Sequence, residues 1–233
     1  MATAEAAPRA MLDQRANGIE GLVSRYEAAR PAGSVPEWVL PPSSCSFLKD
    51  LASLFPEPPL AIEFGSGCST HALRAVTSRT VSIEDSGEWL DRTESNASSR
   101  RPLDATYVVP LRRLWNRGRL IETFDFTSRP GILDLVESAQ LILVDSPPNP
   151  AKREHALFTA LRYASVGAIV ILDDLEMRAV KRFTQRLGLQ NRNTFRFWTV
   201  AIDHQLGVFL KTGSGRIHSR PTLREFVGTW LRV

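Results

Sequence analysis

Eight consecutive residues, Glu63-Phe64-Gly65-Ser66-Gly67-Cys68-Ser69-Thr70, place an acid before two closely spaced glycines and two hydroxyls behind them. In such a string the glycines permit a tight turn and close approach of a ligand to the backbone, and a helix start behind them offers free N–H groups to a carboxylate or phosphate. Glu84 ends the next apolar run, 17 residues after Gly67, where an acid can accept hydrogen bonds from ribose hydroxyls. The plain alternative is a glycine turn with Ser69 or Thr70 as helix cap. Thr70 also stands where a dinucleotide-binding GxGxxG loop has its third glycine, which argues against a nicotinamide cofactor.

Asp145 and the pair Asp173-Asp174 end two later apolar runs, 28 residues apart. Three carboxylates at neighbouring strand ends repel one another unless a cation stands among them, and oxygen ligands with open water positions suit Mg²⁺. A divalent ion held by Asp145, Asp173 and Asp174 would lower the pKa of a substrate hydroxyl as a Lewis acid. The same residues also read as a turn aspartate and a helix cap. His155 follows the Asp145 loop and is the first candidate general base, because an imidazole near neutral pKa suits proton removal; a solvated helix face is its alternative. His71 and His204 stand behind it. Arg153 and Arg178 read either as bidentate anchors for a substrate anion or as surface cations, and Trp89, Trp115 and Trp198 either as stacking platforms or as packing.

These residues need a scaffold that brings strand ends together, and the apolar pattern supplies one. LAIEF (60–64), TVSIE (80–84), ATYVVPL (105–111), QLILVD (140–145) and AIVILDD (168–174) read as buried strands. Helical stretches at 69–76, 87–97, 132–138, 153–164 and 176–188 separate them, apart from an Arg-rich segment reaching to about Arg129. Strands alternating with helices predict a parallel sheet covered on both faces. TFRFWTVAID (194–203) and LGVFLK (206–211) are parted only by His204 and Gln205, a spacing that suits an antiparallel hairpin. The expected fold is α/β: a doubly wound, mostly parallel seven-stranded sheet with a C-terminal antiparallel hairpin. The expected domains are an N-terminal helical lid or cap (1–55), a cofactor-binding domain (56–212) and a C-terminal tail or helix (213–233).

IEFGSGCST followed by VSIEDSGEWL resembles the first two motifs of class I S-adenosylmethionine-dependent methyltransferases, which also end their sheet in an antiparallel hairpin. The resemblance spans roughly residues 60–211. It implies S-adenosylmethionine as cofactor, with Glu63, Gly65, Ser66, Gly67 and Thr70 along its methionine portion and Glu84 at its ribose. The Asp145 to Asp173-Asp174 spacing, with a helix bearing Ala156, Leu157 and Leu161 between them, resembles that of macrocin-type O-methyltransferases, which implies Asp145, Asp173 and Asp174 as metal ligands. VDSPPNPAKREHAL and ILDDLEMRAV are similar to segments of glucuronoxylan-type O-methyltransferases, and both resemblances imply a small-molecule or carbohydrate hydroxyl as acceptor. Macrocin-type enzymes carry an acid two residues after the first metal aspartate, where this chain has Pro147. DSPPN also departs from the D/N-P-P-Y/F of amino-methylating DNA enzymes, since Ser146 intervenes and Asn149 replaces the aromatic. Two alternatives remain open: an RNA or protein methyltransferase docking through the Arg-rich segment 100–119, and a catalytically idle cofactor-binding protein, motivated by Pro147.

Composition bounds these readings. The 233 residues, 43% hydrophobic and 23% charged, belong to the ordinary globular range, and no apolar run approaches the roughly 20 residues of a membrane span. The net charge is +4, and the 29 basic residues include only four lysines, dispersed along the chain; a nucleic-acid face is open but not indicated. Cys45 and Cys68 make neither a disulfide framework nor a zinc cluster. The acid-interrupted N-terminus has no signal-like apolar core, so the expectation is a cytoplasmic protein with reduced thiols.

Overall fold

A computed structural model of the chain describes residues 8–29, 42–95, 105–116 and 119–218. Most of the expected break at 31–44, part of the Arg-rich segment and residues 219–233 of the expected tail lie outside the described residues. The elements run α1 (Arg9–Ala28), α2 (Pro42–Ala52), β1 (Leu60–Phe64), α3 (Cys68–Arg74), β2 (Arg79–Glu84), α4 (Gly87–Ser95) and β3 (Ala105–Val108). They continue as β4 (Leu111–Asn116), β5 (Arg119–Phe124), α5 (Ile132–Ser138), β6 (Leu141–Val144), α6 (Pro150–Tyr163), β7 (Ile169–Leu172), α7 (Arg178–Gln190), β8 (Phe195–Ala201) and β9 (Gln205–Lys211).

Seven strands form one sheet in the order β3-β2-β1-β6-β7-β9-β8. β1 pairs in parallel with both β2 and β6, while β9 runs antiparallel to β7 and β8 to β9. The strand order therefore reverses between β1 and β6, and in an open α/β sheet the crevice beyond the carboxyl ends at that point is where ligands bind. Alternation along the strands sends one residue set to each face. Ile62, Phe64, Ile142, Val144, Val170 and Leu172 pack with α5, α6 and α7 residues such as Val136, Leu157 and Phe183. Ala61, Leu141, Leu143, Ile169 and Ile171 pack with Ile19 of α1, Phe47 and Leu51 of α2 and Leu73 of α3. Continuous apolar runs read as strands buried on both faces, and they are.

Two elements differ from the sequence reading. ATYVVPL is not one strand: β3 stops at Val108, Pro110 offers no N–H to a ladder, and its carbonyl instead accepts from Asp125 N at 2.8 Å. The Arg-rich stretch beyond it contains β4 and β5, an antiparallel two-stranded ribbon outside the main sheet. The terminal hairpin is present, but its loop is residues 202–204 and Gln205 already pairs with Ala201.

Candidate functional site

The turn after β1 is held by three strand ends at once. Gly65 has φ +97°, in the region that favours glycine, and its N–H donates to the Ile83 carbonyl at 2.8 Å. A Cβ on Gly65 would stand 2.6 Å from Ser146 Cβ, so only glycine lets the turn lie against the loop after β6. From the other side, the Asp145 and Ser146 N–H groups donate to the Phe64 carbonyl at 2.9 and 2.7 Å. The expected cofactor turn and the Asp145 loop therefore meet at the switch point.

Glu63 points to the α3 side of the sheet and is fully buried. It accepts hydrogen bonds from Ser69 Oγ at 3.1 Å, Thr70 Oγ1 at 2.5 Å and Ser82 Oγ. Burial pushes its pKa up to about 7, the three hydroxyl donors pull it down, and Glu84 adds a smaller upward push. Thr70 is equally buried and its Oγ1 accepts from Gly67 N at 2.8 Å. Glu63 and Thr70 thus brace the turn from behind. Gly67 faces open space: apart from its chain neighbours, no heavy atom of the described residues lies within 4 Å of where a Cβ would stand.

Glu84, at the end of β2, is 4% exposed and reaches the same turn. Its Oε2 accepts from Ser66 N at 2.8 Å and Ser66 Oγ at 3.1 Å, and Oε1 accepts from Asp85 N at 3.0 Å. Burial, foremost, raises its pKa, against the backbone donor Ser66. Trp89 Nε1 donates to the Ser66 carbonyl at 2.6 Å, and the residue stays 44% exposed. Glu63, Gly65, Ser66, Gly67, Thr70 and Glu84 are therefore one connected unit. An open face at Gly67 beside a buried acid and a glycine turn fits a nucleoside-bearing cofactor at this position.

Asp145, at the carboxyl end of β6, is half-exposed, with 36% of its side-chain surface open. Its pKa is held well above the ordinary range by burial first and then by Asp173 and Asp174, with Arg153 opposing them. Asp173 is buried, and its Oδ1 accepts from Asp174 N at 2.8 Å. His204 Nδ1 stands 3.6 Å from Asp173 Oδ1, within ion-pair reach, and that carboxylate raises the imidazole to about 9 against its burial. Asp174 adopts φ +65°, tolerated by Asp better than by most residues, and its Oδ2 receives Arg153 Nη1.

The expected Mg²⁺ set does not fit this arrangement. The one group of described residues whose ligand atoms come within 4.8 Å of one another is Asp173, Asp174 and His204; Asp145 is outside it. Asp145 and Asp174 share the Arg153 guanidinium, and His204 Nδ1 stands 3.6 Å from the remaining acid, Asp173. Arg153 thus places a guanidinium between Asp145 and Asp174. Sequence reasoning missed Arg153 in this role. The available signal was the demand for a counter-charge together with an arginine eight residues after Asp145.

His155 is not brought to the acids. Its Nδ1 lies 3.0 Å from Thr123 Oγ1 of β5, and burial lowers its pKa to about 4. Two positions after Arg153 means about 200° around the helix, so the two side chains leave α6 in opposite directions. His71 is half-buried on α3, where burial lowers its pKa and its Nδ1 has no hydrogen-bond partner. Arg178 is exposed at the start of α7.

Known proteins place this architecture. No protein-family model matches the chain, and no curated protein matches it in sequence. Its fold is similar to that of solved methyltransferases. One is a precorrin-6y C5,15-methyltransferase of Geobacter metallireducens, at 7% identity over 78% of this chain and 94% of that one, with a TM-score of 0.53. Another is a methyltransferase of Podospora anserina solved with S-adenosylhomocysteine bound, at 14% identity over 90% of each chain and a TM-score of 0.52. A third, a methyltransferase of Geobacter sulfurreducens, gives 15% identity, 85% and 88% coverage and a TM-score of 0.50. The chain has the Rossmann-like methyltransferase fold. Among its described residues no helix is long and apolar enough to cross a membrane.

Proposed function

We propose that the protein is an S-adenosylmethionine-dependent methyltransferase that methylates a hydroxyl of a small molecule or carbohydrate. The observation that carries this reading is the meeting of the Gly65-Ser66-Gly67 turn, Glu84 and the open carboxyl of Asp145 at a single crevice at the switch point of the sheet. When bound, this cofactor would supply an electrophilic methyl carried on a sulfonium, with a neutral thioether as the leaving group.

The chain's own contribution is placement and proton handling. Glu84 and the turn would hold the nucleoside and methionine ends of the cofactor and so fix its position relative to a bound hydroxyl. Asp145, whose carboxyl is the open acid at this point, accepts the hydroxyl proton as the new O–C bond forms. His155, turned to Thr123, takes no part.

A second reading, an RNA acceptor, is favoured by one observation. The β4–β5 ribbon exposes Arg112, Arg113 and Trp115, the last 67% exposed, and such residues offer phosphate contacts and base stacking. Calorimetric titration of S-adenosylhomocysteine tests the common part. Binding is expected, weakened by about 100-fold in Glu84→Ala, which removes a charged partner of the turn. An absence of binding to the folded protein refutes both readings. Methylation screens over sugars and phenols, beside salt-dependent RNA binding, then separate them; cofactor binding without turnover on any acceptor would point to an idle binding protein.

A further inference from the structure

Arg153 sits in the first turn of α6, where the helix dipole disfavours a cation, and it is only 2% exposed. A guanidinium is kept out of water only when its donors are engaged, and here they reach two different strand-end loops. Nε donates to the Pro147 carbonyl at 3.2 Å and Nη2 to the Asp145 carbonyl, both in the loop after β6. Nη2 also stands 3.5 Å from Asp145 Oδ1, and Nη1 donates to the Asp174 carboxylate after β7. One residue therefore ties the two loops together and gives two of the three crevice acids a shared, immobile positive charge. His204 stands at the third, 3.6 Å from Asp173.

We infer that Arg153 is the resident cation of this crevice: a positioning residue that fixes the Asp145 carboxylate and occupies the electrostatic place a divalent ion would take among Asp145, Asp173 and Asp174. The methyl transfer proposed above then proceeds without a metal, which rests on that reading of the function; the charge assignment does not. An ion bridging Asp145 and Asp174 would stand beside the guanidinium or displace it from four contacts, and repulsion at such range costs more than about tenfold in affinity. Removing the guanidinium takes from Asp145 and Asp174 the cation they share, leaving a carboxylate donor set of the kind that hard cations seek.

The test titrates Mn²⁺ into the full chain without cofactor, read by calorimetry and by the Mn²⁺ paramagnetic resonance signal. The unaltered chain is expected to show no saturable binding at about millimolar ion. Arg153→Gln should acquire one saturable site, tighter by at least about tenfold, and Arg153→Gln combined with Asp174→Asn should lose it again. Arg153→Lys, which keeps the charge, should remain without a site. A merely structural arginine would give no gain of metal affinity, so a folded Arg153→Gln chain that binds no better overturns the inference. Should that variant fail to fold, the unaltered chain and Arg153→Lys still decide: one-to-one Mn²⁺ binding by either, abolished by Asp174→Asn, overturns it. S-adenosylhomocysteine titrated in parallel keeps the two claims apart, since its failure to bind refutes the methyltransferase reading and leaves the metal result standing.

Discussion

Glu63 shows how a buried carboxyl can serve a binding turn without touching a ligand. Its three hydroxyl donors come from α3 and β2, so the charge state of one side chain is coupled to the shape of the turn. The carboxyl titrates near 4.5 when unperturbed and about 7 in the fold, so the native state holds this proton more tightly than the unfolded chain. That contribution to stability is complete below pH 4.5 and is lost as pH rises through 7. Its size is on the order of 3 kcal/mol. Urea unfolding at about pH 5 and about pH 7.5 should therefore show a smaller fall in stability for Glu63→Gln than for the unaltered chain, by roughly that amount; parallel falls would mean that Glu63 stays ionised throughout. The turn and Glu84 were legible in the sequence because two glycines and two acids at strand ends carry local signals. Arg153 was not, because the partners that explain its burial lie 8 residues before it and 21 after it, and no local pattern announces a bond across two loops.

The strands were legible for a related reason. Runs such as LILV and IVIL are apolar on both faces and suit only a strand covered twice. The β4–β5 ribbon escaped notice because its exposed Arg112, Arg113 and Trp115 interrupt the alternation that marks a strand. Packing between elements was equally hidden, and Gly188 of α7 shows why. Helix propensity alone favours Gly188→Ala by about 1 kcal/mol. In the fold, a Cβ there would stand 2.9 Å from Phe197 Cδ1 on β8, and that ring is itself packed on Phe209 with centroids 4.6 Å apart. Overpacking of this kind costs about 1–3 kcal/mol, so sterics outweigh propensity. Gly188→Ala is expected to lower the urea midpoint, by an amount equivalent to about 1 kcal/mol; a raised midpoint would show that Phe197 moves aside freely.

The described residues form two cores, one on each face of the sheet, and α1 belongs to the second. Leu12, Arg15, Ala16, Ile19 and Val23 are its buried residues, spaced as one helical face. Arg15 is the unexpected member: Nη1 donates to the Gly167 carbonyl at 2.6 Å, and its guanidinium lies 4.1 Å from the centre of the Phe55 ring. α1 also guards β8, the strand at the end of the sheet: Asp13 Oδ1 receives Arg196 Nη2 at 2.7 Å, and Glu27 Oε1 accepts from Ala201 N at 3.4 Å. An edge strand left bare invites pairing with other chains. These contacts give α1 a part in holding the sheet, whatever else the expected 1–55 cap does at the crevice. Ile19, fully buried, makes the test. Ile19→Ala should lower global stability by about 2–5 kcal/mol, and a chain without residues 1–29 should lose cooperative unfolding and self-associate. If α1 were only a detachable cover, both changes would leave the unfolding midpoint in place and alter cofactor affinity alone, so urea unfolding and calorimetry on the same two variants distinguish a cover from a structural helix.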